Sequence, residues 1–245
     1  MLLSELVTFL TVYFNTSAYP PGEQGGVFFP ADAQSPDYPI QRLGLALEPG
    51  PDLPDWLLEN QLETLWLHRP WQLDLTAFPT HVTVLYHHLP FDEHLTIGYN
   101  RPLADALGLQ WTNTVAPEIL GTKQALGFPV RPIGMIGAGP ALDFMDWCHR
   151  IAEQFGGYDG IYPGKQDRPE RIAVVGAMNN DLIREAADRG AGLYITGQYR
   201  KGAQKAVDET GMAVIAVGHG RSEEWGLRML ADVVQKRGFV ALMKP

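Results

Sequence analysis

From residue 42 to the C-terminus, short apolar runs alternate with stretches whose apolar residues recur at helical spacing. LGLALE (43–48), LETLWLH (62–68) and HVTVLYHH (81–88) read as buried strands, because a continuous apolar run fits a strand covered on both faces. Residues 56–61 and RPLADALGL (101–109) read as helices, with Pro102 in the first turn, where its missing N–H costs nothing. After a strand at 133–138 and a helix over 141–155, the pattern becomes regular. RIAVVG (171–176), GLYITG (192–197) and MAVIAVGH (212–219) are strands, each followed by an amphipathic stretch ending in SEEWGLRMLADVVQKRG (222–238). Such alternation predicts an α/β fold of mainly parallel sheets covered by helices.

The N-terminal stretch places Leu3, Leu6, Val7 and Leu10 on one helical face. Residues 19–39, rich in Pro, Gly, Asp and Ser, read as an irregular loop, and 117–132 resists assignment. The chain is expected to form one domain, or two α/β halves dividing near 1–120 and 121–245 and packed around a metal site.

Composition narrows the function classes. The 245 residues are 45% hydrophobic, enough for a sizeable core. A formal net charge of −9 leaves no broad basic surface for phosphates, so nucleic acid is not an expected partner. Cys148, the single cysteine, fits a reducing compartment and a buried apolar role. The apolar N-terminus has no positive n-region, since Arg42 is the first basic residue, and no run is long enough to span a bilayer. A cytoplasmic location without membrane attachment is expected.

Three apolar strands end on histidine, at His68, at His87 and His88, and at His219. In open α/β sheets, ligands collect beyond the carboxyl ends of strands, where loops converge. Carboxylates follow at short spacing: Asp92 four residues after His88, and Glu223 four after His219. Imidazole with carboxylate suits zinc, manganese or iron, whereas calcium prefers oxygen alone. His68, Asp92, His219 and Glu223 are therefore the candidate metal ligands, expected to converge on one cavity. Ser222 reads as the N-cap of the last helix, and the plainer reading of Glu223 is a surface acid complementing the helix dipole. His81, His94 and His149 read as surface or supporting groups. RIAVVGAMNN lacks the glycine pattern of a dinucleotide-binding turn.

YHHLPFDEHLTIGYNRPLADALGL (86–109), YITG (194–197) and AVGHGRSEEWGLRMLADVV (216–234) resemble the Nif-three-like dinuclear-metal-centre family, whose members are often named GTP cyclohydrolase 1 type 2. LHRPW, HLPFD and GHGRSE stand in for its three metal motifs. The resemblance implies one or two divalent ions per subunit, with Glu223 as a bridging group, in a hexameric ring of three dimers. It also implies hydrolysis of a small molecule, nominally GTP opened at the guanine imidazole ring, by metal-bound hydroxide, with His88 or Glu223 handling protons. The family's His-His-Pro motif is altered here. Arg69 replaces the second histidine, and a guanidinium cannot coordinate a metal. Arg69 is thus expected to weaken one metal position and to contact an anionic part of the substrate. Gln198 stands where the family often has an acid. A rival expectation is a non-catalytic ring that binds metal or a protein partner.

Overall fold

The computed structural model describes residues 1–31, 38–111 and 116–244. In chain order its elements begin with α1 (Leu3–Tyr13), β1 (Gly26–Phe29), β2 (Arg42–Ala46), α2 (Leu53–Glu59), β3 (Thr64–Leu67), β4 (Thr83–Tyr86), α3 (Leu89–Leu95) and α4 (Arg101–Leu107). There follow β5 (Glu118–Lys123), β6 (Arg131–Ala138), α5 (Phe144–Phe155), β7 (Gly160–Tyr162), β8 (Arg171–Val175), α6 (Asn180–Asp188) and β9 (Ala191–Thr196). The chain closes with α7 (Gln204–Thr210), β10 (Ala213–Ala216), α8 (His219–Gln235) and β11 (Val240–Met243). Two compact units result, residues 1–91 with 226–245, and residues 92–225.

The first unit holds a five-stranded sheet in the order β1-β4-β3-β2-β11. β2, β3, β4 and β11 run parallel, and β1 is an antiparallel edge on β4. Two of these strands were not expected. β1 lies inside the stretch read as an irregular loop, and residues 32–37 of that stretch fall outside the described residues. β11 follows the helix taken as the last element. Both are four-residue edge strands, too short to show a period, and their hydrogen-bonding partners lie far away in sequence. Ala46, Leu53, Leu57, Leu65, Leu67 and Val84 form the core under this sheet. Leu3, Leu6 and Leu10 of α1 are buried as their spacing predicts, while Val7 is only half-buried.

The second unit holds a six-stranded sheet in the order β5-β6-β8-β9-β10-β7. β8, β9 and β10 are the parallel strands predicted from the regular alternation. β6 is the strand read at 133–138, begun two residues earlier, β5 lies in the unassigned stretch and pairs with it antiparallel, and β7 closes the far edge antiparallel to β10. The α/β class holds, with mixed sheets in place of mainly parallel ones. The helices start and stop where local chemistry allows. Asn100, Asp143 and Asn179 accept from backbone N–H groups at the starts of α4, α5 and α6. Cys148 is buried on α5. Among the described residues, no helix is long and apolar enough to cross a membrane.

Candidate metal centre

β3 and β4 are parallel neighbours, and their register sets Leu67 beside Tyr86. The next residues out of the sheet are therefore His68 on one side and His87 and His88 on the other. These consecutive histidines diverge. His87 is 2% exposed, and its Nδ1 accepts a hydrogen bond from Trp66 Nε1 at 3.1 Å. Its ring packs on Phe14, with centroids 5.0 Å apart. Burial pushes the His87 pKa down to about 4, so the imidazole stays neutral near pH 7. Gly25, at φ +79°, permits the close approach of the preceding loop, since a Cβ there would lie 2.3 Å from the Tyr86 carbonyl oxygen.

His88 turns instead towards His68, with ring centroids 4.9 Å apart. His68 is fully buried, its ring stacked with Trp66 at an interplanar angle of 14° and tilted against Phe91 at 4.7 Å. Trp66 lies in β3 and His68 follows two residues later, just past the strand's end, with the extended alternation still carrying both rings to one side. Asp92 lies in the first turn of α3, four residues after His88 and so about one helical turn along. One ligand atom from each of His68, His88 and Asp92 lies within 4.8 Å of the others. Arg69, next in the chain, ion-pairs with Glu48. Trp71 stands 57% exposed, its ring 4.8 Å from that of His88 at 82°.

The third motif forms a pair of its own. α8 begins at His219, three residues before the predicted cap. Ser222 is buried, and its Oγ accepts from the Ile97 N–H at 3.0 Å. Glu223 follows His219 by one turn, so the two side chains meet, with His219 Nε2 2.9 Å from Glu223 Oε1. At 4% exposure Glu223 is not the surface acid of the plainer reading. Gly218, at φ +106°, starts this turn tight against Asp159, to which Arg221 also ion-pairs. The structure thus brings His68, His88 and Asp92 together, and His219 and Glu223 together. His81 and His149 are exposed and His94 half-buried. Sequence reasoning missed Trp66 and Glu48. Only Trp66 carried a local signal, its position two residues before His68.

The family model for Duf34/NIF3, NGG1p interacting factor 3, matches residues 75–242. The chain belongs to this family. Over 245 aligned residues, 94% of this chain and 88% of the relative, it is 29% identical to a Deinococcus radiodurans protein named GTP cyclohydrolase 1 type 2 homolog. A Neisseria meningitidis protein of the same name is 29% identical over 147 residues, 60% of this chain, and the match spans about half of that relative, 54% of its length. A crystal structure of a Thermus thermophilus protein shares the fold, with a TM-score of 0.72 at 22% identity, covering 100% of this chain and 99% of that one.

The residues present fit the metal that the family's resemblance implies. Two imidazoles and a carboxylate form a borderline donor set of the kind zinc, manganese and iron accept. Burial of His68 and its stacking with Trp66 restrict the ring to one orientation, which a metal ligand needs.

Proposed function

We propose that this chain is a metal-dependent hydrolase of small molecules, with His68, His88 and Asp92 holding a divalent zinc, manganese or iron ion. The convergence of three ligand atoms within 4.8 Å carries this reading. A divalent ion in that position supplies Lewis acidity, acidifying water and polarising a substrate oxygen. The other tasks fall to the chain. Asp92 contributes the negative charge that offsets a cation beside two neutral imidazoles. Trp66 and Phe91 hold the His68 ring against rotation. Glu223 and His219 remain candidate ligands by their family motif, and their contact suits them to proton handling. A proton taken up at Glu223 Oε1 passes to His219 Nε2, whose ring is two-thirds exposed and delivers it to water. Arg69, steadied by Glu48, offers its guanidinium to an anionic group of the substrate.

The shared name of the relatives supports a nucleotide such as GTP as substrate. The test is release of ring-opened or dephosphorylated product from GTP by zinc- or manganese-loaded protein, compared with Asp92→Asn and Glu223→Gln. Turnover in the unmodified protein that both variants lose supports the proposal. Metal-loaded protein that turns over no nucleotide favours the non-catalytic alternative.

A further inference from the structure

Between β3 and β4 the chain makes a 3-10 turn, Pro70–Gln72, immediately after His68 and Arg69. Pro70 is buried and fixes its own φ, and the Leu73 N–H closes the turn on the Pro70 carbonyl at 2.9 Å. Trp71 is therefore held on a stiff support. Of the six tryptophans, Trp56, Trp66, Trp111, Trp147 and Trp225 are buried or half-buried, and Trp71 alone is exposed. Scattered exposed apolar residues such as Val12 or Leu58 need no explanation. Trp71 differs because of its neighbour: its ring meets that of His88, whose ligand atom belongs to the group with His68 and Asp92. An indole left in water beside a candidate reacting centre provides a flat apolar surface at little conformational cost, and it pairs best with another flat π-system. Arg69, the neighbouring flat side chain, is ion-paired with Glu48.

The geometry points to Trp71 as the specificity-determining residue of the site, seating a flat heteroaromatic ring of the substrate beside His88. This rests on the proposed metal-dependent function, but its test separates the two. Guanosine 5′-monophosphate and ribose 5-phosphate serve as probes, since both carry phosphate and only the first carries a planar base. Calorimetry would measure the binding of each to unmodified protein, Trp71→Phe and Trp71→Leu, with and without zinc. Zinc affinity would be followed separately by competition with a chromogenic chelator. The expected result is binding of the base-bearing probe roughly tenfold or more tighter than that of ribose 5-phosphate, in line with stacking on an aromatic side chain. Trp71→Leu should abolish that margin and Trp71→Phe keep most of it, with zinc affinity the same in all three. Equal affinity of the unmodified protein for the two probes overturns the inference, as does an unchanged margin in Trp71→Leu. A Trp71→Leu protein that changes only its molar mass by light scattering also overturns it, because the indole then serves assembly. If the unmodified protein fails to hold zinc, the metal reading falls alone, since the base preference is still read without metal.

Discussion

Two tryptophan–histidine pairs lie within a few residues of each other and do opposite things. Trp66 and His87 are buried, joined by a hydrogen bond, and closed off from water by Phe14. Trp71 and His88 meet edge to face, and the indole is exposed. His87 and His88 are consecutive, so the change of environment across one peptide unit separates a buried imidazole from one grouped with His68 and Asp92. The interior pair is closed within the packing, whereas the outer pair leaves its indole in solvent.

Breaking the interior pair should have the largest effect. Trp66→Ala should cost about 3–5 kcal/mol in denaturant unfolding, the usual toll for removing a large buried aromatic, and should weaken metal binding by freeing the His68 ring. A loss below about 1 kcal/mol would mean that Trp66 is not the support described. His87 gives a pH signature next in size. Its folded pKa is depressed to about 4, below the ordinary 6.5, so as the pH falls the unfolded chain takes up the proton first. The stabilisation is fully present above about pH 6.5 and is lost between there and about pH 4, amounting to roughly 3 kcal/mol. His87→Phe should flatten that part of the stability profile relative to the unmodified protein, and an identical profile would contradict the assignment.

The outer pair should respond in binding and not in stability. His88→Ala should lower zinc affinity by about 100-fold or more, beyond what loss of an outer partner costs, with little change in the unfolding midpoint. Smallest of all, Trp71→Leu should shift stability by no more than about 0.5 kcal/mol, as exposed positions do. A larger destabilisation would make Trp71 part of the packing and erase the contrast.

The strand ends that carry the histidines are legible in the sequence, but the pairing of each histidine with its tryptophan is not. The apolar runs ending at His68, His88 and His219 were visible because a buried strand needs no polar alternation and its end is marked by the first ionisable residue. The spacing from His88 to Asp92 likewise announced a shared direction. The start of α8 was misjudged because GHGRSE contains two possible beginnings, and the left-handed Gly218 selects the earlier. Glu48 was invisible as the partner of Arg69, since it lies 21 residues back, just past the end of the neighbouring strand. β1 and β11 were missed for the same reason: their pairing is entirely non-local. Local chemistry shows in sequence, and contacts between distant segments do not.

The central claim, that His68, His88 and Asp92 hold a divalent ion, is tested most directly by elemental analysis of protein loaded with excess zinc and then desalted. The unmodified chain should retain one tightly held ion per subunit and no more, and His68→Ala, His88→Ala and Asp92→Asn should each lose it while keeping the unfolding transition. Arg69→His should raise the content, because it replaces a guanidinium with a ligand. No retained zinc in the unmodified protein, or the same content in all three ligand variants, would contradict the account.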